Sequence, residues 1–168
     1  PAELINGTVT NNRSDSDGVD FSGGGAIFVS SVVSVTLKNT IIAGNFTGTG
    51  STPSDLFGTA SSSSSYNIIG HSGTAGGLVN GINGNQIGVN PLLGSLANNG
   101  GASMTHALLT GSPAINAGSN ALVPGGLTTD QRGSGFSRVF ATFVDIGAFE
   151  SQAFAQQVVI SPDDSSTN

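Results

Sequence analysis

The ionisable side chains are few: ten Asp and Glu, four Lys and Arg, and two His in 168 residues. The strongest candidate site among them is the cluster Asp130, Arg132, Asp145 and Glu150. Acids beside a base on one groove are what a polysaccharide lyase or hydrolase requires, and glycoside cleavage needs two carboxylates flanking the bond. The same four residues suit a structural ion-pair cluster. In a segment so poor in charge, Arg132 can grip Asp145 or Glu150 bidentately and pin the closing stretch of chain. We adopt the structural reading, because ion-pair networks gather charges in the same way that active sites do, and we assign no catalytic residue.

A second grouping, Asp15-Ser16-Asp17-Gly18-Val19-Asp20, alternates carboxylates around a glycine. Asp15, Asp17 and Asp20 form a candidate calcium site, since such spacing can wrap a hard cation in oxygens. Against it, an EF-hand would place Glu where Ala26 stands, so a solvated acidic turn is the competing reading. No other cofactor is indicated. His71 and His106 lie in different segments without an HxH or HExxH partner, so neither has the convergent ligands that a metal needs. We read His106 as satisfied within the closing segment and His71 as a loop residue. No GxSxG occurs, and the serine run at 61–65 has no neighbouring base. Gly23-Gly24-Gly25 precedes a strand pattern, which disfavours a phosphate loop. The sequons at Asn6, Asn12 and Asn45 matter only in a glycosylating secretory pathway and otherwise read as turn residues.

Composition narrows the classes further. Charged residues make up 8% of the chain, against about 25% in an average domain. Ser, Thr, Asn and 26 Gly carry the polarity instead, which suits stacked β structure better than long helices. A net charge of −6 provides no basic face for phosphates, so nucleic acid is not an expected partner. With no Cys, a disulfide scaffold and Cys-ligated metals are excluded. No stretch reads as a signal peptide or membrane span, and an opening Pro1 suggests a processed piece of something longer.

The elements that must position these groups announce themselves as a repeat. Asn6 and Asn12 bracket Gly-Thr-Val-Thr-Asn, and Asn39 and Asn45 bracket Thr-Ile-Ile-Ala-Gly at the same offset for both members; Asn67-Ile68-Ile69-Gly70 offers a third copy, its Ile pair following Ile41-Ile42 after a shorter interval. Such self-similarity indicates a solenoid of short strands. Ala26-Ile27-Phe28-Val29 and the alternating Val33-Ser34-Val35-Thr36-Leu37-Lys38 supply further strands. We expect an all-β parallel β-helix in which Asn6, Asn12, Asn39 and Asn45 stack as hydrogen-bonded ladders. Residues 48–54 and 61–65 read as loops leaving the coil, and 70–90 as one more loosely wound coil. Residues 1–89 are then coils, 90–152 an irregular C-terminal cap, and 153–168 a tail with a strand at 158–160. A cap is expected where an exposed last strand would invite aggregation.

The order Asn90-Pro91-Leu92-Leu93-Gly94, Ala97-Asn98-Asn99-Gly100-Gly101, Thr105-His106-Ala107-Leu108-Leu109, Gly111-Ser112-Pro113-Ala114-Ile115-Asn116-Ala117-Gly118, Thr129-Asp130-Gln131-Arg132-Gly133 and Val144-Asp145-Ile146-Gly147-Ala148-Phe149-Glu150 resembles the C-terminal region of choice-of-anchor Q domain proteins. The resemblance spans about residues 23–152 and departs after Gln152, where a polar tail replaces the family's anchoring signals. It implies a right-handed parallel β-helix, a bacterial extracellular or cell-surface location, and a noncatalytic structural or adhesive role. Self-association into a filament is a sharper form of that expectation, with the strand at 158–160 adding to the edge near residues 5–9 of the next copy. The alternative is a polysaccharide-active enzyme, lyase or glycosidase-like, or a glycan-binding module, with glycans as partners.

Overall fold

The structure, a computed structural model, describes residues 2–19 and 23–152. Asp20 of the acidic run and the whole segment 153–168, with its expected strand at 158–160, lie outside the described residues. The chain is mostly β, with several short parallel sheets. Its strands are β1 (Ala2–Ile5), β2 (Thr8–Thr10), β3 (Arg13–Ser14), β4 (Ile27–Phe28), β5 (Val35–Lys38), β6 (Ile41–Ala43) and β7 (Phe46–Thr47). They continue with β8 (Thr52–Pro53), β9 (Leu56–Phe57), β10 (Ile68–Ile69), β11 (Gln86–Ile87), β12 (Leu93–Ala97) and β13 (Thr105–Leu108). No helix among the described residues is long and apolar enough to cross a membrane.

The repeat spacing reappears as strand register. β1, β2 and β3 pair in parallel with β5, β6 and β7, all at one constant offset: Ala2 opposes Val35, Thr8 opposes Ile41, and Arg13 opposes Phe46. β6 then pairs with β10, Ile41 opposite Ile68, and β10 with β11, Ile68 opposite Gln86. The order β11-β10-β6-β2 makes a four-stranded parallel sheet. β4 pairs with β9 in a separate sheet. The step in sequence number falls from 33 to 27 to 18 along this sheet. Only the connections shorten, which strand pairing tolerates.

Two expected loops are instead paired. Residues 48–54 fold back so that β8 lies antiparallel on β7. In the serine run Ser64 is fully buried and accepts the Leu37 amide through Oγ at 3.1 Å, while the Ser65 amide donates to Leu37 O at 2.9 Å. Serine here substitutes for main chain, a polar reach that a loop reading overlooks.

Both members of each Ile pair are fully buried, although neighbours on a strand point to opposite faces. Ile42 and Ile69 pack inward with Leu37, Leu56 and Val29. Ile41 and Ile68 face the other way, against Leu108, Ala114, Ile146 and Phe149 of the closing segment. That segment begins with the antiparallel hairpin β12–β13. The sequence places it as a cap on the end of the strand stack; it lies across the sheet's outer face, where the Gly147 amide donates to Asn39 O at 2.9 Å and the Ala148 amide to Thr8 Oγ1 at 3.0 Å. β2, which carries Thr8, is the edge opposite β11. Packing this segment over Ile41 and Ile68 takes their apolar surface out of water.

Candidate functional site

Two features concentrate the polar chemistry: the amide ladders at the turns and the charged interior of the closing segment. In the first ladder the Asn12 amide and Nδ2 both donate to Asn45 Oδ1 at 3.0 Å, and Asn45 N and Nδ2 donate to Asp55 Oδ1 at 3.1 and 3.0 Å. Asp55 is the third rung, 1% exposed, and its Oδ2 takes the His71 amide at 2.9 Å. A second ladder runs Thr40, Asn67, Asn85. The Thr40 amide donates to Asn67 Oδ1 at 3.0 Å, and Asn67 N and Nδ2 to Asn85 Oδ1 at 3.1 and 2.9 Å. A primary amide both donates and accepts, so it can satisfy the turn of one repeat and be satisfied by the next.

Asn6 and Asn39, expected as rungs, are not. Both take left-handed backbone, φ 50° and 47°, which Asn adopts at little steric cost. The Asn39 side chain binds main chain of the closing segment, accepting from Ser119 N at 2.9 Å and donating to Ser119 O at 3.0 Å. The Asn6 amide is buried with neither atom hydrogen-bonded among the described residues. The missed rungs Asn67 and Asn85 carry a legible signal: each immediately precedes a strand, as Thr40 precedes β6.

Asp130, Arg132, Asp145 and Glu150 all lie within the closing segment's interior, each at most 7% exposed, but the pairing differs from the one expected. Arg132 grips Asp130, with Nε 3.0 Å and Nη2 2.7 Å from Oδ2. It reaches Glu150 only through the main-chain oxygen, at 2.5 Å. Its guanidinium lies between the rings of Phe136 and Phe149, 3.9 and 3.8 Å from their centroids. The turn that places Asp130 two residues from Arg132 makes this partner local, whereas the carboxylates of Asp145 and Glu150 are drawn off by other donors. Glu150 pairs with Arg138, a residue the sequence reading left out of the cluster: Nη2 donates to Oε2 at 2.8 Å. Phe140 N and Asp145 N donate to the same carboxylate at 2.9 Å each. Arg138 also donates to the main-chain oxygens of Gly147 and Asp145. The Asp145 carboxylate takes Asn116 N and Ser151 N, each at 2.6 Å.

Burial pushes the Glu150 carboxyl up to about 7, with the Asp145 charge adding to the push and the Asp145 and Phe140 amides and Arg138 opposing it. Burial also raises Asp145, against the pull of the Asn116 and Ser151 amides. Every carboxylate of the cluster thus faces donors supplied by the closing segment itself, and one chain turn is tied to the next through them.

A groove flanks the edge of the four-stranded sheet. One cleft, about 320 Å³, lies between β2 and the β12–β13 hairpin, and a second, about 260 Å³, continues past Asn90 and Pro91; His106 borders both. Its Nδ1 lies 2.7 Å from Gly94 O, which fixes the ring within the hairpin. No family model, no curated protein and no solved structure matches this chain. Neither cleft of this groove is lined by a carboxylate; Asp55 borders a separate cleft with His71 and is engaged by three amide donors. At the acidic turn, Asp17 Oδ1 accepts the Val19 amide at 3.3 Å and Gly18 N donates to Asp15 O at 3.1 Å. Among the described residues no three His, Asp or Glu side chains converge to hold a metal ion.

Proposed function

We propose that the chain is the C-terminal part of a right-handed parallel β-helix of the choice-of-anchor Q kind, and that it serves outside the bacterial cell as a noncatalytic structural or adhesive module. The observation that carries this reading is the four-stranded parallel sheet with amide ladders running across its strands. Repeats stacked in this way resist bending, because main-chain and side-chain hydrogen bonds recur at each step. The buried charges favour the same role: each holds the closing segment to itself and none faces the groove as a free acid–base pair.

Self-assembly belongs to the proposal. β1, β2 and β3 are each terminal in their sheets, and such edges add strands from other chains. A head-to-tail contact of this kind does not close and propagates into fibres.

Incubation with a panel of acidic and neutral polysaccharides, read as new reducing ends and unsaturated uronate, is expected to give no product above buffer. Product formation would overturn the noncatalytic reading. Electron microscopy of the purified chain is expected to show filaments, and a dispersed monomer at all concentrations would remove self-assembly.

A further inference from the structure

The left-handed turn position that precedes each strand of the large sheet carries Asn6, Asn39, Tyr66 and Gly84, with φ 50°, 47°, 56° and 71°. Asn and Gly tolerate that backbone; a bulky aromatic residue there is an outlier. Strain retained at one rung of a regular series is a pointer to function. The Tyr66 ring rests on Gly84, where a Cβ would lie 3.0 Å from two ring atoms. It lines an open cleft of about 430 Å³ with Phe143, Asn116 and the main chain of residues 117–119.

Phe143 is 52% exposed, yet it is held firmly. Asn120 bridges the residues on either side of it, donating through Nδ2 to Thr142 O at 2.9 Å and accepting the Val144 amide at Oδ1 at 2.8 Å. The cleft floor is fixed as well, because Asn39 binds Ser119 and the Gly118 amide donates to Val144 O at 2.8 Å. The two rings are not stacked on each other, and among the described residues neither the Tyr66 hydroxyl nor the Asn116 side-chain amide is hydrogen-bonded. No charged residue lines the cleft.

We infer that this cleft binds a neutral hexopyranose unit with equatorial hydroxyls, as in β-linked glucans. The C–H faces of such a ring carry slight positive charge and stack on the negative faces of aromatic rings. Its hydroxyls match a free primary amide that both donates and accepts. An uncharged lining leaves a uronate or phosphate without a counter-charge, whereas a few fixed polar groups among aromatic walls suit a small neutral ligand. The inference deepens the adhesive half of the proposed function and rests on it.

The chain has one Tyr and no Trp, so its intrinsic tyrosine emission reports on this cleft alone. Titration of the full chain with cellohexaose or laminarihexaose is expected to change that emission saturably, with a half-point of about 1 mM or below, a range typical of a weak single-site ligand. Oligogalacturonate is expected to leave it unchanged. Phe143→Ala should weaken binding at least tenfold by the same emission. Tyr66→Asn, followed by calorimetry, should abolish binding while the melting temperature holds or rises, because Asn relieves the backbone; a purely structural Tyr66 would lower it. No response to either glucan at about 10 mM, far above the expected half-point, a preference for oligogalacturonate, or unweakened binding in both variants would overturn the inference. Absence of binding would leave the structural module standing, whereas shortened oligosaccharides after incubation would sink the noncatalytic reading and leave the cleft.

Discussion

Replacing Arg138, which is 1% exposed, with Met keeps an unbranched apolar stem and removes the guanidinium with its charge and donors. Glu150, fully buried, would lose the cation paired with its carboxylate, and the oxygens of Gly147 and Asp145 would each lose a donor. Breaking a buried pair from one side costs about 3–5 kcal/mol. For a chain of this length that lowers the melting temperature by about 2–4 °C per kcal/mol, so a drop of roughly 10 °C is expected. The loss carries a pH signature. Glu150 titrates at about 7 folded against an ordinary 4.5, so between those values the folded state holds a proton that the unfolded chain releases. Stability from this group is therefore full below pH 4.5 and falls as pH rises through 7, by about 3 kcal/mol in all. Without Arg138 the charged carboxylate is opposed more strongly still, so the deficit of Arg138→Met should be small near pH 4.5 and large above pH 7. Adding Glu150→Gln should flatten that dependence. Thermal melts across pH check it; a deficit equal at both ends, or a shift under about 2 °C, would refute the assignment of a buried, mutually dependent pair.

Asn67→Ala leaves the Thr40 amide without its acceptor and takes the Nδ2 donor from both Asn85 Oδ1 and Leu37 O, and should cost about 3 kcal/mol, while Asn12→Ala at the exposed end of its ladder should cost about 1 kcal/mol; urea midpoints compare them. Gly147 has φ +108°, and a Cβ there would sit 2.8 Å from Ile41 Cδ1, so Gly147→Ala should lose about 2 kcal/mol or more in the same assay. Arg132→Lys keeps the charge but neither the planar fork on Asp130 nor the stack between Phe136 and Phe149, and is expected to cost about 2 kcal/mol by calorimetry.

Much of the candidate site was legible where the signal was local and repeated. The constant offset between the first two Asn-bracketed runs placed β2 against β6, and the pairing of Asn12 with Asn45 followed from the same count. Asn67 stands at the head of the third copy, but neither it nor Asn85 is legible as a rung, because the connections before them grow successively shorter and a fixed period no longer aligns them with Asn12 and Asn45. Asp55 escaped for another reason: it enters the ladder from the turn after β8, and no spacing rule carries a residue there.

From the order of residues alone it follows that the chain is β-rich, that its apolar pairs recur in register, and that charge is scarce and absent between Asp55 and Asp130. These follow from composition and from side-chain alternation, which are properties of neighbours along the chain. That Arg132 holds Asp130 and Arg138 holds Glu150, that the closing segment packs on Ile41 and Ile68, and that Tyr66 and Phe143 share a cleft is set by the folded chain. Such partners are chosen by the paths of irregular loops, where a change of one residue in length reaims every donor beyond it, and no periodic pattern records that choice.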